Sequence, residues 1–151
     1  MAKMIISMKA LAIMAAVAIS ATLFSFSGKK GGEGFEIFLN SKLVLQQFGS
    51  KMDDVKSIEL DNRFSNDQLV IKYYHCGQAG KNRSITIRDA QNKILKEWKF
   101  ADVSTAGLSV SEASMACKVK DILSLHAGKL NLYYTSAQLP KGRLLAMLVT
   151  K

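Results

Sequence analysis

Proline is almost missing from this chain: among 151 residues only Pro140 occurs. One proline excludes a polyproline spacer or a proline-rich recognition tail, which need that residue in runs. Cysteine and histidine are scarce too, with Cys76, Cys117, His75 and His126 the full set. None stands at the two- to five-residue spacing that builds a structural zinc site, so no metal and no cofactor is expected. Acids are few, 12 against 21 Lys and Arg, for a net charge of +9. They are scattered, and neither a nucleophile elbow nor a zinc-binding helix signature occurs, so no catalytic residue is assigned. After residue 27 no apolar run approaches the ~20 residues of a membrane-spanning helix.

What is present begins with a targeting pattern. Lys3 and Lys9 precede Ala10 to Phe26, which carry no charge, and Ser25 and Ser27 close the run with small residues. This is the layout of a secretory signal peptide, so residues 1–27 are expected to be cleaved. Ala18 and Ser20 offer a second cleavage site. The run is too alanine-rich for a comfortable membrane anchor. The expected compartment is periplasmic or extracellular. Removing residues 1–27 takes away two lysines and no acid, leaving +7. Residues 28–34 then read as a flexible glycine-rich leader and 35–151 as one domain, a length that can bury its own core. In an oxidising compartment an even cysteine count implies pairing, so Cys76 and Cys117 are expected to be bridged. A link across 41 positions would stabilise the fold by roughly 4 kcal/mol in the loop-entropy picture.

The mature part reads as short strands between turns. "FEIFLNSKLVLQQF" alternates on either side of Asn40-Ser41, a hairpin signal. "VKSIEL", "DQLVIKYYHC", "RSITIRD", "KILKEWKF", "KLNLYYTS" and "RLLAMLVT" supply further strands. The links "DNRFSND", "GQAGKN", "DAQN" and "SAQLPKG", the last holding Pro140, are turn chemistry. Residues 72–89 read as a hairpin, and Trp98, Ile94 and Phe100 share a core face. Over 111–126 a helical period competes with a strand "ACKVKDI" followed by a helical turn; the strand is preferred, with Cys117 and Val119 inward. Seven to nine short strands without crossover helices predict an all-β antiparallel sandwich, Ig-like or jelly-roll-like.

Several apparent motifs dissolve on inspection. "GQAGKNRS" lacks P-loop spacing, has Asn82 where a hydroxyl is needed and leads into a strand, so no nucleotide is expected. His75 and Cys76 are adjacent on a strand and point to opposite faces, which rules out a thiol–base pair. "DNRFSND" gathers Asp61, Asn62, Asn66 and Asp67 without the spacing of a calcium loop. Nucleic acid is a poor partner for an exported chain with no recognition motif.

The aromatic doublets carry more. In Tyr73-Tyr74 and Tyr133-Tyr134 the pleat must turn one ring inward and the other outward. Beside Lys72, Arg83 and Arg88, exposed tyrosines suit a sugar ring or a protein surface, combining apolar area with a polar tip. Core packing for the rings and a solvated sheet face for the cations is the plainer reading. The segments "VIKYYHCG", "ITIRDAQNKILKEWKFAD", "KLNLYYTS" and "LPKGRLLA" resemble small secreted proteins of Bacteroidota. That resemblance implies export and a sandwich fold, and supplies no active residues. The expectation is a non-catalytic interaction module for a glycan or envelope protein, with a small hydrolase or enzyme inhibitor, or a structural envelope protein, as alternatives.

Overall fold

A strand of alternating apolar residues must bury one face, and two such sheets bury theirs against each other. The computed structural model describes residues 32–103, 114–125 and 128–151. The expected signal peptide, most of the leader and His126 lie outside them. The described strands are β1 (Gly34–Leu39), β2 (Lys42–Phe48), β3 (Lys56–Leu60), β4 (Gln68–Tyr74), β5 (Arg83–Arg88), β6 (Ile94–Phe100), β7 (Ser114–Lys118), β8 (Gly128–Ser136) and β9 (Leu139–Thr150). A short helix, α1 (Val119–Leu123), follows β7. The strands form two sheets, in the orders β2-β1-β4-β7 and β3-β9-β8-β5-β6. The fold is an all-β sandwich. Placing β4 with β7 in one sheet and β8 between β5 and β9 in the other repeats the B–E and C–F–G neighbourhoods of an immunoglobulin-type sandwich.

Every second residue of the central strands faces inward. Phe35 and Ile37 of β1, Leu69 and Ile71 of β4 and Met115 of β7 meet Ile85, Ile87, Leu130, Leu132 and Tyr134 of the other sheet, all fully buried. Each such side chain stabilises the fold by about 1.5–3 kcal/mol relative to exposure. The β1–β2 hairpin turns where the sequence placed it, with Asn40 in the left-handed region (φ 53°) that asparagine tolerates. Asn40 also ties the turn to β4, its amide donating to Gln68 O at 2.8 Å and its Oδ1 accepting from Gln68 N at 2.9 Å. The strand expected over "ACKVKDI" lies earlier and is shorter, β7 ending at Lys118 and α1 taking over at Val119, while Cys117 and Val119 are buried as expected.

Five expectations need correction. Residues 72–89 are not a hairpin, because β4 and β5 belong to different sheets. The loop between them is held to the β8–β9 turn, where Ala137 N donates to Lys81 O at 2.8 Å and Gln138 Nε2 to Ala79 O at 2.7 Å. Pro140 lies within β9 rather than in a turn. The register slips between Tyr134/Arg143 and Ser136/Leu139, so a bulge absorbs the residue that has no amide hydrogen. The β3–β9 pair is parallel, which its long connection permits. Ile94 leaves the core face and is 52% exposed, because a register shift falls between it and Lys96.

The fifth correction concerns the cysteines: Cys76 and Cys117 are both free thiols. Cys117 pairs in register with Leu69, whereas Cys76 lies beyond the far end of β4 at Tyr74. Those five positions of strand already span about 16 Å, against the roughly 7 Å that a disulfide tolerates between Cα atoms. Cys76 is exposed, while burial pushes the Cys117 thiol up to about 12. A thiol reagent should therefore label the native protein once, at Cys76, and twice only after unfolding, with or without reductant. Mass spectrometry reads this directly, and two labels that appear only after reduction would restore the bridge.

Candidate functional site

Four of the six large apolar side chains exposed among the described residues share one sheet. Leu43, Val44 and Phe48 of β2 are 43%, 37% and 40% exposed, and Tyr74 of β4 is 37% exposed. All belong to the four-stranded sheet. Alternation turns Glu36 and Phe38 of β1, Lys72 and Tyr74 of β4, and Gln46 and Phe48 of β2 to its outer face.

Gly34 organises this face. It pairs with Phe48 on one side and with Tyr74 on the other, so two aromatic rings flank a position with no side chain. The rings close over it and stack at 5.8 Å with 29° between their planes. A Cβ on Gly34 would lie 1.9 Å from Phe48 Cδ1, so only glycine admits this arrangement. One step along, Glu36 accepts from the Tyr74 hydroxyl at 2.7 Å and from Gln46 Nε2 at 3.0 Å. Burial, and then the Glu36 carboxylate, push the Tyr74 hydroxyl up to about 12. The next step sets the Lys72 ammonium 4.9 Å from the centre of the Phe38 ring. The result is a stacked pair of rings on the outer face, bordered by a carboxylate, an amide and an ammonium. Such a surface can stack on the apolar side of a sugar ring and bond its hydroxyls, or cover the side chains of a protein.

The other residues singled out from sequence fall into two further places. Tyr133 and Arg88 lie on the outer face of the five-stranded sheet, with the guanidinium 4.2 Å above the ring. Tyr73, Tyr134 and Arg83 are not surface groups but lie inside, at one end of the core. There Tyr73 stacks on Tyr134 at 4.2 Å and bonds Glu33 through its hydroxyl. His75 Nε2 lies 2.9 Å from the Tyr134 hydroxyl and 3.3 Å from Ser136 Oγ. Glu33 also pairs with Arg143, whose other partner is Asp53 at 3.1 Å. A shallow cleft of about 280 Å³ opens beside Arg143, lined by Met52, Asp53, Val55, Gly142 and Leu144.

Two chemical readings weaken on this geometry. Asp61, the first oxygen donor of "DNRFSND", is held by the Arg63 guanidinium at 2.6 Å, which keeps its carboxyl below the usual range. Among the described residues no group of three His, Cys, Asp or Glu converges as a metal site would. Ser136 approaches His75, but it is 4% exposed and shares the imidazole nitrogen with Tyr134.

Glu36, Gln46 and Phe48 escaped the sequence reading. Alternation alone assigns Phe48 no face, and the pairing of Gly34 with both neighbours shows that its ring lies outside. The sequence signal was the glycine at the start of a strand, a position where backbone or rings approach closely. The chain matches no protein-family model, no curated protein and no solved structure.

Proposed function

We propose that this protein is an exported, non-catalytic binding module that holds an envelope glycan on the outer face of the β2-β1-β4-β7 sheet. The observation that carries the reading is the Phe48–Tyr74 pair stacked over Gly34 beside Glu36, Gln46 and Lys72. Stacked rings offer a rigid apolar shelf that loses little freedom on binding, and the polar groups along one edge supply direction. Calorimetry against cell-envelope polysaccharides tests it. Phe48→Ala with Tyr74→Ala is expected to weaken binding at least tenfold, about 1.4 kcal/mol, while Tyr133→Ala on the opposite sheet leaves it unchanged. A double variant that binds as well as the wild type would remove the ring pair from consideration. An envelope protein in place of a glycan would show as binding that survives digestion of the polysaccharide.

Export rests on the charged start and apolar run of residues 1–27. The protein recovered from its producing cells is expected to have the mass of residues 28–151. An intact mass that retains the first 27 residues would sink this part of the proposal.

A further inference from the structure

Each sheet of a sandwich ends in strands whose outer backbone groups have no partner, and proteins commonly guard such edges with charge, proline or brevity. Among the described strands, three of the four edges follow that practice. β3 carries Lys56 and Glu59, β6 carries Lys96, Glu97 and Lys99, and β7 is five residues long and ends in Lys118. The fourth edge is guarded only near its start, by Lys42 and a bulge at Val44. β2 hydrogen-bonds only to β1 within its sheet, runs for seven residues, and from Leu43 to Phe48 reads "LVLQQF", with no charge, proline or glycine. A six-residue segment of that composition is a strong template for strand addition. Charged residues number 33 of 151 in this chain, so six uncharged positions on an open edge stand out.

The bulge near the start of β2 also leaves apolar side chains outside. The register between β1 and β2 shifts between Ile37/Leu45 and Phe38/Leu43, leaving Val44 as an extra residue. Both Leu43 and Val44 are thereby left exposed, at 43% and 37%. Phe48 at the other end of the strand is exposed too, so apolar side chains stand at both ends of the edge with uncharged Gln46 and Gln47 between.

We infer that β2 pairs with β2 of a second copy of this chain, antiparallel across a two-fold axis, to make one continuous eight-stranded sheet. Charge selects this occupant. An acidic peptide would find no cation between positions 43 and 48 to answer it, whereas two copies of this segment set neutral side chains against neutral ones. A two-fold contact is also closed, because it uses up both open edges and leaves none for a third copy. The two chains share a strong positive charge, so their association must strengthen as salt screens the repulsion between them. The pairing stands on the edge alone, and it holds or fails independently of any glycan on the neighbouring face.

Sedimentation equilibrium of the protein as purified from its producing cells tests this. The expected result is a monomer–dimer equilibrium that shifts toward dimer between 50 mM and 500 mM salt. Backbone amides of residues 42–48 should exchange more slowly as concentration rises. Leu43→Lys with Val44→Lys should give a monomer at every concentration, with an unchanged far-ultraviolet circular dichroism spectrum; Gln46→Lys serves if that pair does not fold. A wild type that stays monomeric at 100 µM, a lysine variant that still dimerises, or open-ended assembly instead of a dimer would each overturn the inference.

Discussion

Replacing Tyr134 by alanine is expected to destabilise the domain by about 3–5 kcal/mol, the cost of deleting a large ring from a packed core. The ring is fully buried, stacks on Tyr73 at 4.2 Å with 16° between planes, and directs its hydroxyl at His75. Removing it therefore loses burial, an aromatic pair and a hydrogen-bond partner together. Tyr134→Phe separates these contributions. It keeps the ring and stack and loses the 2.9 Å contact to His75 Nε2, for about 1 kcal/mol. Urea unfolding at constant slope reads both values. A loss below about 1 kcal/mol for alanine would show that the sandwich closes at this end without the ring.

The burial of His75 at this end of the core makes stability depend on pH. Burial, the largest influence on His75, lowers its pKa from the ordinary 6.5. Glu33 opposes that shift and Arg83 adds to it. The unfolded chain thus takes up a proton at a pH where the folded one does not. The stabilisation is complete above about 6.5 and is lost as pH falls from there toward the lower folded-state value. His75→Gln should flatten this slope, and an unchanged slope would place the titration elsewhere.

Arg83→Ala is the second large effect, expected to cost about 2–4 kcal/mol although it removes a charged residue from a strongly basic protein. Strand alternation puts Arg83 on the same face as Ile85 and Ile87, and it is 5% exposed. Its Nη2 and Nε donate to Ala101 O at 2.7 and 3.2 Å, closing the end of the β5–β6 pair. Alanine leaves that carbonyl without these donors and opens a void where the stem lay against Gly80, so close that a Cβ on that glycine would meet Arg83 Cδ at 2.7 Å. Arg83→Met restores the stem alone and should recover part of the loss. Thermal and urea unfolding of the two variants distinguish packing from hydrogen bonding. Equal stability of Arg83→Ala and wild type would return Arg83 to the surface cations.

Much of the fold was legible because a strand announces itself locally. Alternation in "FEIFLNSKLVLQQF" marked both strands of the first hairpin, and Asn40 marked the turn. The same period turned Tyr73 and Tyr134 inward and Tyr74 and Tyr133 outward, as the doublets required. A strand through Cys117 was legible from its inward placement, but not that the chain turns helical already at Val119. The candidate surface was half legible: Lys72 and Tyr74 were found, while Phe48, Glu36 and Gln46 were not. Their roles depend on which strands flank β1, and nothing within β1 records that.

The amino-acid sequence by itself determined the class of fold, most of the strands and, where no bulge intervenes, the face a side chain takes, because these follow from a two-residue period and the burial of apolar area. The tertiary structure decided which sheet each strand joined. From that followed the separation of Cys76 and Cys117, the placing of β4 and β5 in different sheets, the closure of Phe48 and Tyr74 over Gly34 and the exposure of β2 as an edge. Strand order is set by contacts between residues far apart in the chain, where many pairings satisfy the same local pattern and only the packing of the whole core separates them.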